Sequence, residues 1–540
     1  MLDITADRLL LSGNEAVALS ALHHHVALGT GYPGTPSTEI LESFSGFGGR
    51  AQWAPNEKVA AEVAVGAAMT GARAICTMKH VGVNVAADVL FTLAYTGTDG
   101  ALVIITADDP GMASSQNEQD NRYYARAAGI PMLEPSDSQE AYNFFARAIE
   151  LSEKFNTPVF LRMTTRTCHS KAIVTPTTTA PPKPAEPKLR HDIPRRVMIP
   201  AFARPAHKRL RDKLAAVTEW NERGQLNEIV QGGRELGIIT SGIAYQHVRE
   251  VAEDASVFKL GMSYPLPINA LREFVAGVDR CIVIDEGENI LASDLLAAGM
   301  DVQAKPAMYR FGELNVNRVR RIIASDTSPE PDPPKGTAPQ FCPGCPHRKV
   351  YEALRDRDCF VAGDIGCYSL GALPPYSAMD TLLCMGASIG VGLGLRHALP
   401  DDEARKVVSV IGDSTFIHSG LTGLVEAVYN PPATGHVVIV LDNNTTAMTG
   451  LQEHPGTGRR LDHSQTHRMV IEDVARAIGF TRVVVVDPVA DNAGWHAALD
   501  DALAGGELSL IVVRRQCILA AARQAKLAAA AGTRKEGAKQ

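Results

Sequence analysis

Short runs of Val, Ile and Leu recur along the chain, each separated from the next by a longer stretch of helical periodicity. The first group is RAICTMKH (73–80), ALVIITADD (101–109) and PVFLRMTT (158–165). The second is LGIITSG (236–242), SVFKLGM (256–262) and RCIVIDEG (280–287). The third is KVVSVIGD (406–413), HVVIVLDNN (436–444) and LSLIVVRR (508–515). Continuous apolar runs flanked by turn residues suit strands buried on both faces of a parallel sheet. Their alternation with helical patterns predicts an α/β chain of three domains with mainly parallel sheets. Two stretches, 175–199 and 325–340, are rich in Pro, Thr and charge and read as linkers. The expected domains are therefore 1–174, 200–324 and 341–520, followed by a flexible tail at 521–540. In parallel sheets ligands sit outside the carboxyl ends of the strands, so chemistry is sought where each run stops.

Composition narrows the classes. Of 540 residues, 45% are hydrophobic and 21% charged, which excludes disorder as the main state. The net charge is −7 and no basic stripe stands out, so no nucleic-acid partner is expected. No run of about 18 apolar residues predicts a membrane span. The N-terminus MLDITADRLLLSG lacks the features of a signal peptide, so a cytoplasmic location is expected. Nine cysteines are too sparse for a disulfide scaffold. In a reducing compartment clustered cysteines are more often metal or cofactor ligands.

The third domain carries the most specific chemistry. KVVSVI ends in Gly412-Asp413-Ser414, and HVVIVL ends in Asp442-Asn443-Asn444-Thr445. One helix-length segment separates them, so the two motifs close adjacent strands of a βαβ unit. The Asp413 carboxylate, the Asn443 amide oxygen and the Thr445 backbone carbonyl form an incomplete set of hard oxygen ligands. Such a set suits Mg²⁺ shared with phosphates and water. The helix after Asp413 adds N–H donors for an anion. The pair resembles the thiamine diphosphate motif, with Ser414 where that motif has glycine.

Cys342 and Cys345 in FCPGCPH, Cys367 in GDIGCYSLG and Cys517 after LIVVRR all fall at strand ends or loops of this domain. Four thiolates suit a [4Fe–4S] cluster or a structural zinc, and spacing alone does not choose. Cys76, Cys281 and Cys359 lie in apolar runs and read as core residues, whereas Cys168 and Cys384 have no evident partner. Gly29-Thr-Gly31-Tyr-Pro-Gly34 matches a dinucleotide loop literally, but Pro33 and Pro36 spoil the helix start that such a loop needs. His23-His24-His25 sits in a helical pattern without partner ligands and reads as structural.

Longer motifs in the first domain are GYPGTPSTEI (31–40), NEKVAAEVAVGAAMTGARA (56–74), TMKHVGVNVAAD (77–88) and ADDPGMASSQNEQDNRYYAR (107–126). With FCPGCPH, GDIGCYSLG, GDSTFIHSG and DNNTTAMTG they closely resemble the alpha (large) subunit family of indolepyruvate ferredoxin oxidoreductases, over about 1–520. The resemblance implies a pyrimidine-binding domain, a transketolase C-terminal-like domain and a diphosphate-binding domain, in that order. It implies thiamine diphosphate, Mg²⁺ on Asp413, Asn443 and Thr445, and one [4Fe–4S] cluster on Cys342, Cys345, Cys367 and Cys517. Glu57 would hydrogen-bond the aminopyrimidine ring, with Glu62 the rival carboxylate. Thr35 would contact the 2-oxoacid, and His80 and Asn84 could face it. His347, Gly386 and Ser414 would lie along the cofactor. Asn117, Asp120 and Arg122, and likewise Asp285 and Glu286, read equally as ligand contacts or structural residues.

The implied activity is oxidative decarboxylation of aryl 2-oxoacids to acyl-CoA, with coenzyme A as cosubstrate. Implied partners are a smaller beta-type subunit, a ferredoxin or other electron acceptor, and a second copy of the chain in a homodimeric core. Family members commonly continue into a ferredoxin-like domain, and this sequence is expected to be a short form without it. Two other readings are a non-oxidative thiamine-dependent decarboxylase with a structural metal, and a non-catalytic partner-binding subunit.

Overall fold

The structure is a computed structural model that describes residues 4–177, 182–184, 186–224, 226–331 and 339–526. The chain forms two compact units, Met1–Asp332 and Pro333–Gln540. Both are α/β with mainly parallel sheets.

The first unit holds two large sheets. Its seven-stranded sheet runs in the order Met262–Tyr264, Met132–Leu133, Val159–Thr164, Leu102–Asp108, Ala74–Lys79, Leu28–Gly31, Ala51–Trp53. Every pairing is parallel except that of the Met262–Tyr264 edge. The centre is buried on both faces, and Leu102–Asp108 is buried at every position. The five-stranded sheet has Gly233–Ser241 between Ala255–Leu260 and Cys281–Ile284. There the strand period of two is explicit. Ile239 and Val283 enter one apolar cluster, and their neighbours Ile238, Ile282 and Ile284 enter another.

The run SVFKLGM reads as one strand, but the structure divides it at Gly261. Ala255–Leu260 stays in the five-stranded sheet and Met262–Tyr264 pairs with the seven-stranded one. Gly261 is held on both sides, its N–H donating to Asn227 Oδ1 at 3.1 Å and its carbonyl accepting from Glu134 N–H at 2.9 Å. The helix Pro200–Glu222 also reaches back, packing Leu210 into the core of the first sheet.

Within 175–199 the described residues include the short helix Ile193–Arg196, whose Arg195 and Arg196 both pair with Asp99. Parts of both expected linkers (178–181, 185 and 332–338) and residues 527–540 of the expected tail lie outside the described residues. Residues 518–526 are helical.

The second unit is one five-stranded parallel sheet, ordered Phe360–Ala362, Val407–Gly412, His436–Asp442, Leu508–Arg514, Arg482–Val486. Val437, Ile439 and Leu441 face one apolar cluster, and Val438 and Val440 face the other. Burial of each such side chain contributes about 1.5–3 kcal/mol. The sheet is therefore firm where the two motif-bearing strands end. Among the described residues no helix is long and apolar enough to cross a membrane.

Candidate functional site

In the first unit the candidate residues cluster where strands of the seven-stranded sheet end. Glu57 opens the helix Glu57–Ala68, which is capped by Asn56 Oδ1 accepting from Val59 N–H at 2.9 Å. Glu57 is buried, whereas Glu62 is exposed and pairs with Lys58 in solvent. His80 follows the strand Ala74–Lys79 directly and opens the helix His80–Thr96. It is fully buried, with Nε2 3.0 Å from the Asn117 carbonyl oxygen. That carbonyl accepts only, so Nε2 carries the proton and Nδ1 is left as a bare acceptor with no partner. Burial lowers the His80 pKa, against an opposing pull from Asp108, so the ring is neutral. Thr35 is half-buried in the turn between Leu28–Gly31 and the helix Thr38–Gly46. Asn84 is exposed one turn beyond His80, beside the Tyr124 hydroxyl.

Asp120, Arg122, Asp285 and Glu286 belong to a buried charge network between the two large sheets of this unit. Arg122 pairs with Asp120 and Asp285 and donates to the carbonyls of Glu286 (2.7 Å) and Glu288 (3.0 Å). Lys305 Nζ lies 3.1 Å from Asp285 Oδ1. Arg162 lies 2.7 Å from both Asp108 and Glu134. Although burial opposes it, Arg122 and Arg162 hold Asp120 well below the usual carboxylate range. Burial pushes Glu286 up to about 7. All four take part in this network, and Arg162, Glu134 and Lys305 complete it without any motif to announce them.

His23 Nδ1 lies 2.8 Å from the Tyr142 hydroxyl, and His24 Nδ1 lies 2.8 Å from the Ser20 carbonyl oxygen. They border a cavity of about 1010 Å³, which is not lined by any of Glu57, Thr35 or His80. Among the described residues no group of three or more His, Cys, Asp or Glu side chains is placed to hold a metal ion.

In the second unit Val407–Gly412 and His436–Asp442 pair in parallel, with Gly412 opposite Leu441. Their motifs meet directly. Asp413 Oδ1 accepts from Ser414 N–H at 2.9 Å, and Oδ2 accepts from Asn444 N–H at 2.8 Å. Asn443 Oδ1 accepts from Thr445 N–H at 3.1 Å, and Thr446 Oγ1 donates to Ser414 Oγ at 2.9 Å. Asp413, Ser414, Asn443 and Thr445 are all buried. The chain after Asp413 runs through a π-helical turn, Phe416–Gly420, a distortion common at functional sites. The oxygen set fits a hard cation: one carboxylate, one amide oxygen and the backbone carbonyl of Thr445, whose hydroxyl is already given to the Gln452 carbonyl at 3.2 Å.

Two residues of this site escaped the sequence reading. His454 Nε2 lies 3.2 Å from Asp413 Oδ2, though the two are 41 residues apart. Asp364 is fully buried and accepts from the N–H groups of Ile365 (2.9 Å), Gly386 (2.9 Å) and Ser388 (3.1 Å). It thereby fixes the backbone at Gly386, which has φ +86° and no room for a Cβ beside Ser419. The signal for Asp364 was its place after the strand Phe360–Ala362. His347 opens the helix His347–Arg355, and burial pushes its pKa down to about 4 despite the nearby Asp413 charge.

The four candidate cysteines come from three separated stretches. Cys342 and Cys345 share a turn in which Cys345 N–H donates to the Cys342 carbonyl at 3.1 Å. Cys367 starts a 3-10 turn, Cys367–Ala372. Cys517 N–H donates to the Asn443 carbonyl at 3.0 Å. Burial raises the thiols of Cys345 and Cys367 to about 11, and the charges of the other three cysteines add to the rise at Cys367. Cys76, Cys168 and Cys281 are buried, Cys359 is half-buried and Cys384 exposed.

Residues 20–211 match the pyruvate flavodoxin/ferredoxin oxidoreductase thiamine diphosphate-binding family, and residues 364–513 match the C-terminal binding domain of thiamine pyrophosphate enzymes. Indolepyruvate oxidoreductase subunit IorA of Methanothermobacter thermautotrophicus is 41% identical over 518 residues, which covers 89% of this chain and 82% of that protein. The chain belongs to the indolepyruvate oxidoreductase IorA family. The Pyrococcus abyssi IorA protein is 37% identical, with 96% of this chain and 87% of that protein covered. A solved 2-oxoglutarate:ferredoxin oxidoreductase from Magnetococcus marinus shares the fold at TM-score 0.51 and 16% identity, over 59% of this chain and 65% of that one. The chain is a thiamine diphosphate-dependent enzyme of the 2-oxoacid oxidoreductase class. Of the four cysteines only Cys367 falls inside the 364–513 match.

Proposed function

We propose that this chain is the catalytic subunit of an aryl 2-oxoacid oxidoreductase that converts substrates of the indolepyruvate or phenylpyruvate type to acyl-CoA and CO₂. The supporting contact is the hydrogen bond from Cys517 N–H to the Asn443 carbonyl, which ties a cysteine to the diphosphate motif. A plain decarboxylase has no use for an electron carrier at that place. Thiamine diphosphate, when bound, supplies the nucleophile and electron sink for decarboxylation. Glu57 would hydrogen-bond the aminopyrimidine, and Thr35 and the neutral His80 would receive the 2-oxoacid. Asp413, Asn443 and the Thr445 carbonyl would hold Mg²⁺, with Ser414, Gly386 and His347 along the cofactor. Cys342, Cys345, Cys367 and Cys517 would hold one [4Fe–4S] cluster with one-electron capacity. Names of the relatives mark them as subunits, which supports a partner subunit. In this reading the partner is a smaller beta-type chain, electrons pass to a ferredoxin or similar acceptor, and the core is homodimeric.

Iron analysis and visible spectroscopy of the anaerobically purified complex test this reading. The expected result is about four irons per chain and a broad visible absorbance, both lost in Cys367→Ser. Iron-free protein that still decarboxylates indolepyruvate would establish the non-oxidative alternative.

A further inference from the structure

Lys79 ends the strand Ala74–Lys79 and stands directly before His80, at the start of the helix His80–Thr96. Its stem packs on Gly34, the residue before Thr35. A Cβ at Gly34 would lie 3.1 Å from Lys79 Cβ and 3.6 Å from its Cδ. Glu57 lies against Gly82, in the first turn of the same helix. Contacts as well as sequence thus place Lys79 among Thr35, His80 and Glu57. The side chain is half-buried, and its Nζ donates to the Ser114 carbonyl oxygen at 2.6 Å in a contact open to solvent. An ammonium group has three donors, so two remain after Ser114 is served.

The start of a helix is a poor place for a resident cation. Ser, Thr, Asp and Asn are preferred there, and a positive charge opposes the helix dipole. No side chain caps this helix. Among the described residues no carboxylate lies within ion-pair distance of Lys79 Nζ. Burial lowers the Lys79 pKa, and the charges of Asp109 and Glu57 pull the other way without touching it. The Asp109 oxygens already accept from Ser114 N–H at 2.8 Å, from Ser115 Oγ, and from Thr165 Oγ1 at 2.9 Å. Other cations at these strand ends have carboxylate partners in contact: Arg162 with Asp108 and Glu134, Arg166 with Glu313, and Lys58 with Glu62.

A 2-oxoacid brings a carboxylate, which is costly to desolvate without an opposite charge. His80 supplies none, because its proton is given to the Asn117 carbonyl and its Nδ1 only accepts. Thr35 is uncharged.

We propose that Lys79 binds the carboxylate of the 2-oxoacid through its spare ammonium donors. The proposal rests on the function proposed above and adds to it the group that recognises the acid end of the substrate.

The test measures inhibition of indolepyruvate turnover by indolepropionate and by its neutral amide. The two share a shape and differ in charge at the acid end. The assembled enzyme with its partner subunit is used, with coenzyme A and an artificial acceptor. Wild type is expected to bind the acid about tenfold or more tighter than the amide. Lys79→Gln keeps an N–H donor and drops the charge. It should raise KM for indolepyruvate and the inhibition constant of the acid about 10- to 100-fold, and leave that of the amide within about twofold. Lys79→Met keeps the stem on Gly34 and should behave alike, which covers a failure of Lys79→Gln to fold. An acid-to-amide preference that is absent in wild type or unmoved in these variants would overturn the proposal while leaving the proposed function standing. Equal weakening of both inhibitors would also overturn it, making Lys79 an anchor for the Ser114 segment. Wild type that turns over no aryl 2-oxoacid would instead remove the proposed function.

Discussion

A Cβ on Gly82 would lie 2.7 Å from Glu57 Cγ and 2.8 Å from its Oε1. Both distances are shorter than real Cβ contacts, so Glu57 keeps its buried place only because residue 82 has no side chain. Gly82 thus acts as a positioning residue for the carboxylate proposed to activate the cofactor. Displacing a catalytic group by about 1 Å costs on the order of 100-fold in rate. Gly82→Ala should therefore lower kcat/KM about 100-fold while far-UV circular dichroism stays that of the wild type. Glu57→Gln should lower it at least as far, and Glu62→Gln, on the solvent face, should leave it within about twofold. An active Gly82→Ala enzyme would show that Glu57 tolerates the shift. Helical pattern alone did not separate Glu57 from Glu62, because both stand in one Ala-rich helix; the family resemblance favoured Glu57, and packing buries it.

At the scale of elements, the charge network shows how the two large sheets of the first unit are joined. Arg122 begins the helix Arg122–Ala128, and Asp285 follows the strand Cys281–Ile284, 163 residues away. Both are buried, as is Lys305. A buried pair is weak evidence of net stability, but breaking one side leaves an uncompensated charge. Asp285→Ala leaves the buried Lys305 without its carboxylate, removes one of the two that Arg122 holds, and should cost about 3–5 kcal/mol in urea unfolding at an unchanged m-value. A loss below about 1 kcal/mol would mean that water reaches the pair. The same scale explains the divided strand at Gly261. Hydrophobic runs announce that a strand exists, but not which sheet it joins, because pairing partners are distant in sequence.

Across the second unit as a whole, two buried histidines should set its acid response. Burial pushes His347 down to about 4 and His436 to about 3, against about 6.5 in an unfolded chain. Both folded pKa values are depressed, so the unfolded state binds more protons below about pH 6.5. Their contribution is complete above that pH and is lost as pH falls toward 4 and then 3. Stability measured by urea unfolding should decline over this window, and His436→Gln should make the decline shallower. An unaltered slope would assign the acid response to other groups.

Period and punctuation in the sequence determined most of the architecture. Continuous Val and Ile runs require strands buried on both faces, and their alternation with helices requires parallel sheets. The Asp413 and Asn443 motifs could be placed on adjacent strand ends because one helix-length segment separates them. Only the tertiary structure decided what long-range packing controls. It brought His454 to Asp413 and Asp364 to Gly386, and it set Cys517 against Asn443. It joined Asp120, Arg122 and Asp285 in one buried charge network. A motif records local backbone demands, whereas burial and partnership depend on residues dozens or hundreds of positions away.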